Sequence, residues 1–365
     1  MKSRLILVGG FLGAGKTSLL SEAAKLLASR GQRVGLITND QAPELVDTVF
    51  LAQGGKSVTE VSGSCFCCNF PGLLNAMAKL RTEANAEILI AEPVGSCTDL
   101  SATIVQPLRD RHQGDLVVAP LSVLVDPARL EDILNGGVGG LHSSAAYIFR
   151  KQMEEADILV ITKTDLLSDD ELDGLRKRVA KEYPLADVYG ISSQTGDGLE
   201  LWLDAVMARS DAGQHLAEVD YDIYAEGEAV LGWLNATFSL SGVDVNWRTY
   251  TRDLLNALSK AFDFASASVG HVKLVVESRG EFVSGNLTGT GDSLNVRGLE
   301  LIGSEGRLTL NARVEMSPED VESVIRNAIS LTTDGRIEVE VLAWRCLSPG
   351  RPMPTYRYDR LVSLT

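Results

Sequence analysis

Leu5-Ile6-Leu7-Val8-Gly9-Gly10-Phe11-Leu12-Gly13-Ala14-Gly15-Lys16-Thr17 opens the chain with an apolar run, a glycine-rich turn and a lysine–hydroxyl pair. From Gly10 the spacing is G-x-x-x-x-G-K-[ST], the pattern of a phosphate-binding loop. Residues 1–8 read as a short strand, and residues 18–28 carry apolar side chains at helical spacing. A strand, a tight turn and a helix in that order aim a helix N-terminus at an anion. Gly10, Gly13 and Gly15 let the backbone turn and bring N–H groups against phosphate oxygens, with Ala14 and Ser18 in the same loop. Lys16 can reach the β- and γ-phosphates, and the Thr17 hydroxyl can ligate Mg²⁺.

Working outward, 365 residues favour two domains over one. A hydrophobic content of 45% with 23% charged residues describes a globular chain with ample core. The formal charge of −15 argues against nucleic acid and against an anionic membrane surface as partners. A phosphate ligand stays compatible, because it meets local N–H groups, Lys16 and a metal. Residues 5–15 behind Lys2 and Arg4 resemble a signal peptide, but Lys16, Thr17 and the loop pattern make that reading poor. No other apolar run could span a bilayer. The cysteines are Cys65, Cys67, Cys68, Cys97 and Cys346, an odd number with three clustered, which is no disulfide framework. In a cytoplasmic protein, the expected location here, such a cluster binds metal or does redox chemistry.

After the first helix, apolar strands at residues 33–38, 87–91, 121–125, 158–161 and 188–191 alternate with helical stretches. Each strand ends in a polar cluster: Asn39-Asp40-Gln41, Glu92-Pro93-Val94-Gly95, Asp126, Thr162-Lys163-Thr164-Asp165 and Ser192-Ser193-Gln194-Thr195-Gly196. The pattern predicts an α/β domain with a doubly wound, mostly parallel sheet and ligands at the strand C-termini. It is expected over 1–210. Acidic residues crowd 211–228, which reads as a linker. Strands at 230–240, 270–276, 308–314 and 336–342, with helices at 247–262 and 317–329, predict a smaller α+β domain over 229–365. Its order is that of a split βαβ, ferredoxin-like sandwich.

Lys163 and Asp165 stand in T-K-T-D, which resembles the guanine-reading N-K-x-D of GTPases, with Thr162 in place of the usual Asn. A carboxylate can accept both the N1–H and the exocyclic amine of guanine, a pattern adenine lacks. Ser192 and Ser193 resemble the second base-contacting loop. Glu92 and Gly95 stand where GTPases carry D-x-x-G: the carboxylate serves Mg²⁺ and the glycine N–H the γ-phosphate. Asp40 or Gln41 is the candidate for positioning the attacking water. Cys65-Phe66-Cys67-Cys68 places three thiols within four residues, able to converge on one soft or borderline cation and leave an open position. A Cys67–Cys68 disulfide would be strained. Cys97 could lie within reach, but reads as a small buried bystander, and Cys346 as core. Of the four histidines, His271 beside Lys273 is the one to follow into the structure.

In this order, G-F-L-G-A-G-K-T, C-F-C-C, E-P-V-G and T-K-T-D resemble the CobW-like metallochaperone GTPases, relatives of the GTPases that help insert nickel into urease and hydrogenase. The likeness is close from the start to about Met207. It implies GTP and Mg²⁺ at residues 10–17, Glu92 in the metal-linked switch, and zinc or cobalt at Cys65, Cys67 and Cys68. It further implies a client metalloprotein, slow GTP hydrolysis and a possible homodimer. The histidine-rich linker tract of many members is missing, and an acidic stretch stands in its place. Two other readings stay open: a GTP-dependent conformational chaperone whose cysteines only staple a structural zinc, and a small-molecule kinase, which would leave C-F-C-C without a role.

Overall fold

The computed structural model describes residues 2–40, 46–52, 57–289 and 294–363. Strand β1 (Ser3–Gly10) runs into the glycine turn and helix α1 (Lys16–Ser29). There follow β2 (Val34–Asp40), α2 (Val46–Ala52), β3 (Ser57–Ser62), α3 (Phe70–Glu83) and β4 (Ile88–Glu92). A π-turn at Ser101–Val105 leads into α4 (Gln106–Arg111), then β5 (Leu116–Val118), β6 (Ser122–Val125), α5 (Pro127–Leu134), α6 (Ser143–Glu154) and β7 (Ile158–Ile161). Helix α7 (Asp169–Glu182), β8 (Asp187–Gly190) and α8 (Leu199–Ala208) complete the first sheet and its cover. Its order is β3-β2-β4-β1-β6-β7-β8, all parallel, with β5 also pairing with β1. Both faces are covered by helices, so the strands are apolar throughout: Leu5, Ile6, Leu7 and Val8 are fully buried. Helix α1 buries Leu19, Leu20, Ala23, Ala24 and Leu27 against the sheet, as its spacing requires.

The acidic stretch expected to be a linker holds a helix, α9 (Tyr221–Ala229). Asp220 caps it, accepting from the N–H groups of Asp222 and Ile223, while Tyr224, Gly227 and Glu228 are buried on its packed side. The charges that suggested a solvated tether are thus divided between a cap, an outer face and one buried carboxylate.

The remaining elements are β9 (Gly232–Asn246), α10 (Trp247–Phe264), β10 (Val269–Ser278), β11 (Glu281–Leu287), β12 (Asn295–Arg297), β13 (Ile302–Val314), α11 (Pro318–Thr333) and β14 (Ile337–Leu347). They form an antiparallel sheet of order β12-β11-β10-β13-β9-β14. Strands β10, β13, β9 and β14 have the expected split-βαβ arrangement. The pattern reading omitted β11 and β12, which add an edge: Ser284 and Gly285 interrupt the apolar alternation of β11. Residues 348–363 run back onto the first domain, where the Thr355 N–H donates to Cys67 O (2.8 Å) and the Tyr358 N–H to Ala102 O (3.0 Å).

Candidate functional site

The phosphate loop sits at the C-terminal end of β1. Gly10 has φ 126°, and a Cβ there would fall 2.4 Å from the Leu124 carbonyl oxygen of β6, so no larger residue fits. Gly15 caps α1 in the left-handed conformation. Ala14 is buried with its N–H on Phe11 O (3.2 Å), and Gly13 and Ser18 flank it, half-exposed. Lys16 is buried and folds back, donating to Gly10 O (2.8 Å) and Phe11 O (3.3 Å), and burial pulls its pKa down. A Cβ on Gly95 would lie 3.0 Å from Lys16 Nζ, so the Glu92–Gly95 turn abuts the loop.

Beside Lys16 is an oxygen cluster. Thr17 Oγ1 lies 2.9 Å from Asp47 Oδ1 and 3.2 and 3.1 Å from the two Glu92 carboxylate oxygens. The ammonium of Lys273, on β10 of the second domain, donates to both Asp47 oxygens (2.6 and 2.8 Å) and to Thr17 Oγ1 (3.2 Å). Burial, reinforced by the Asp47 charge, raises the Glu92 carboxyl to about 7. Burial alone would lower the Lys273 ammonium, but Asp47 and Glu92 outweigh it and the pKa rises. Asp47 moves oppositely: burial raises it, and the Lys273 charge and hydrogen bond carry it below its ordinary value. Hydroxyl and carboxylate oxygens around one point suit a hard cation, so Thr17, Glu92 and Asp47 fit Mg²⁺. Asp47 and Lys273 escaped the sequence reading of this cluster. The only signal was a Lys beside the histidine chosen for attention.

The second domain covers this end of the sheet. Arg313 of β13 donates to Asp40 Oδ2 (2.5 Å), and the Val46 N–H donates to Asn311 Oδ1 (2.7 Å). Arg313 is 2% exposed and lies over the Trp233 ring, 4.3 Å from its centroid. Asp40 is therefore held in an ion pair between domains. Gln41 lies outside the described residues. His271 is buried, and burial together with the Lys273, Arg313, Lys16 and Arg129 charges drives its pKa well below the ordinary value.

The residues expected to read a base meet at the ends of β7 and β8. Asp165 Oδ1 accepts from Ser192 Oγ (2.6 Å), which in turn accepts from the Gln194 and Thr195 N–H groups (3.2 and 3.1 Å). Ser193 follows, half-buried. Lys163 adopts φ 54° and pairs with Asp126 Oδ2 (2.6 Å). Thr162, in the place of an Asn, donates to Val125 O (3.1 Å) and so braces β6.

The third group is Cys65, Cys67 and Cys68, whose sulfurs all lie within 4.8 Å of one another. The Cys68 and Asn69 N–H groups both reach back to Cys65 O (3.1 and 2.8 Å), and Asn69 then caps α3, so the thiols sit on one tight turn. Cys65 and Cys67 are 2.9 Å apart and Cys67 and Cys68 3.8 Å. Hydrogen bonds from Cys67, Cys68 and Cys97 hold the Cys65 thiol well below its usual value. The same contacts push Cys67 up, and the one with Cys65 takes Cys68 to about 11. Three converging sulfurs, one of them favoured as thiolate, suit a thiophilic cation. Asn39, at the end of β2, donates to Val61 O (2.8 Å) and Ser64 O (2.9 Å) and accepts from the Phe66 N–H (2.7 Å). Cys346 is half-buried away from this group, donating to Pro318 O (3.1 Å). Cys97, expected to be a bystander, is 1% exposed in the same core as Cys65 and Cys67, outside the group of three sulfurs.

A parallel sheet carrying a glycine-rich phosphate loop, with a hydroxyl and two carboxylates beside its lysine, defines a P-loop nucleotide-binding protein. The family model described as CobW/HypB/UreG, nucleotide-binding domain, matches residues 4–189, and the chain belongs to that family. A zinc-regulated GTPase metalloprotein activator 1 of Schizosaccharomyces pombe is 28% identical over 188 residues, 49% of this chain and 43% of that protein. The zinc chaperone YjiA of Escherichia coli is 27% identical over 196 residues, 51% of this chain and 56% of that one. The chain thus spans about half the length of the curated relatives it matches. Among solved structures, Zn(II)-bound YjiA GTPase from E. coli aligns over 91% of this chain and 99% of its own at 17% identity, TM-score 0.38. HypB from Helicobacter pylori in complex with nickel aligns over 60% and 91% at 17% identity, TM-score 0.41. Among the described residues no helix is long and apolar enough to cross a membrane.

Proposed function

We propose that this chain is a GTP-hydrolysing metallochaperone of the cytoplasm. It holds zinc or cobalt(II) at Cys65, Cys67 and Cys68 under control of the nucleotide and passes it to a client metalloprotein. Residues 1–210 would be the GTPase unit, 211–228 its connection and 229–365 the domain that responds to it. The observation that carries the reading is Asn39. Its side chain ties the end of β2, beside the nucleotide seat, to both sides of the cysteine turn. Any shift of β2 on nucleotide exchange therefore moves the metal ligands.

The steps belong to the chain's own side chains. Lys16 turns from the Gly10 and Phe11 carbonyls to the β- and γ-phosphates, and the Gly95 N–H meets the γ-phosphate. Asp165, held by Ser192, accepts from guanine. Thr17, Glu92 and Asp47 would hold Mg²⁺, which neutralises charge on the phosphates. Thr17 and Asp47 serve it only after Lys273 has let go of both. Loading thus breaks the bond between β10 and the oxygen cluster. Asp40, released from Arg313 as the second domain shifts, becomes the candidate for orienting water. Loss of the γ-phosphate reverses these moves and slackens the cysteine turn.

A second reading is kept for one observation: residues 348–363 cover the cysteine turn, with the Met353 N–H on Cys68 Sγ (3.2 Å). A covered metal that never exchanges would make the cysteines a structural staple for a conformational chaperone. Native mass spectrometry of the full chain with a non-hydrolysable GTP analogue and Zn²⁺ or Co²⁺ tests the proposal. One nucleotide and one exchangeable metal per chain are expected, and no metal uptake refutes it.

A further inference from the structure

We infer that residues 348–363 form a displaceable strap that closes over the cysteine turn and gates the entry and exit of its metal. The inference rests on the metal-binding reading above and deepens it. Beyond β14 the chain crosses the first domain with neither helix nor strand. From Pro352 to Tyr358 burial alternates as in an extended chain: Pro352 is buried and Pro354, Tyr356 and Tyr358 are half-buried, while Met353, Thr355 and Arg357 are exposed. What this stretch covers is the cysteine turn. The Met353 N–H donates to Cys68 Sγ (3.2 Å), the Thr355 N–H to Cys67 O (2.8 Å) and the Thr355 hydroxyl to Cys68 O (3.1 Å). Two of the three cysteines are thus bonded to the strap, one of them through its sulfur. Pro352 and Pro354 stiffen the contact, since each fixes its own φ and keeps the residue before it extended. Cys65 and Cys67 are buried and Cys68 is half-buried, so something must move before a metal enters or leaves.

The strap is the part able to move. Asn39 and the α3 cap fix the cysteine turn within the first domain. The strap instead hangs on separate anchors. Tyr356 packs edge-on against Phe70 at the start of α3, with ring centres 5.3 Å apart, and the Arg111 guanidinium lies 4.2 Å from the centre of its ring. Arg357 Nε donates to Asp99 Oδ2 (2.7 Å), and the Tyr358 hydroxyl donates to Asp110 Oδ2 (2.6 Å). Arg351 pairs with Asp222 of α9. The Arg351 and Arg357 side chains are 54% and 38% exposed, and ion pairs open to solvent hold little individually. A segment tied by a few such contacts opens at lower free energy than a packed sheet. Opening frees the Cys68 sulfur and the Cys67 and Cys68 carbonyls together, so an acceptor can approach without the turn unfolding. The closed strap retains the metal, and the open one lets it pass.

The test follows Zn²⁺ leaving the loaded full chain for an excess of a chromogenic chelator. Wild type is compared with the double variant Tyr356→Ala, Arg357→Gln, which loosens the strap, and with Met353→Pro, which removes the N–H that donates to Cys68 Sγ. Circular dichroism of each variant checks its fold. The double variant should release zinc at least about fivefold faster, the combined hold of an aromatic contact and a partly exposed ion pair. Should it not fold, Arg357→Gln alone carries the rate test, with release at least about twofold faster. Met353→Pro, loaded with Co²⁺, should show a shifted sulfur-to-cobalt charge-transfer band, because a donor bonded to a ligand tunes the metal. Release at the wild-type rate by the loosened variant overturns the gate and leaves the three-cysteine site standing. An unshifted band in Met353→Pro shows that the strap lies off the loaded site and overturns the gate as well. No zinc uptake by the wild type overturns the metal reading and the gate together.

Discussion

Lys273→Met is the most informative single change, because the lysine belongs to one domain and its partners to the other. The Lys273–Asp47 pair is 2.6 Å long, with side chains only 17% and 14% exposed. Removing one member of a buried pair costs about 3–5 kcal/mol, and residual solvent access argues for the lower end, about 3 kcal/mol. That cost falls on the form in which β10 grips the oxygen cluster. In the proposed loaded form Lys273 has left, so its replacement is expected to cost little there. The difference appears as tighter nucleotide binding: about 3 kcal/mol corresponds to roughly a hundredfold, and partial relaxation around Asp47 leaves at least about tenfold. Fluorescent-nucleotide titrations should show this gain in Mg²⁺ and a smaller one in chelator, where Asp47 gains no new partner. Thermal unfolding of the nucleotide-free variant should move to lower temperature. Equal or weaker nucleotide binding by Lys273→Met would refute the view that this lysine guards the site.

Guanine preference is expected from the Asp165–Ser192 pair. GTP should bind at least about tenfold more tightly than ATP, since adenine offers the Asp165 carboxylate no matching pair of donors, and Asp165→Asn should shift preference to xanthine nucleotides in competition assays. Metal affinity should fall on acidification. The Cys67 thiol is held above its ordinary value and Cys68 at about 11, so both are protonated at neutral pH and lose protons when metal binds. Zinc affinity measured by chelator competition should therefore rise continuously from pH 6 to pH 9, and a flat profile would show that these sulfurs are not ligands.

Local motifs were legible in the sequence because one turn of backbone contains them. Residues 10–17 and Cys65, Cys67 and Cys68 need only their own spacing to converge. The pairing of Asp165 with Ser192 was legible for a related reason: parallel strands end at one edge, which brings the two together. Contacts that depend on docking were not legible. Lys273 reaches Asp47 across 226 positions and Arg313 reaches Asp40 across 273, and nothing in either neighbourhood names its partner. Helix α9 was hidden by composition: Asp220, Asp222 and Glu226 suggested a tether, while Tyr224 and Glu228 were carrying its buried side.

The proposed coupling of nucleotide state to metal affinity runs through the contacts of Asn39 with the cysteine turn. It is tested most directly by chelator competition for Zn²⁺, run in parallel on the full chain with Mg²⁺ and a non-hydrolysable GTP analogue or with Mg²⁺ and GDP. The GTP form should bind zinc at least about fivefold more tightly, the low end of ordinary coupling energies. Identical zinc affinities in the two nucleotide states would contradict the account and leave the cysteines as a static staple.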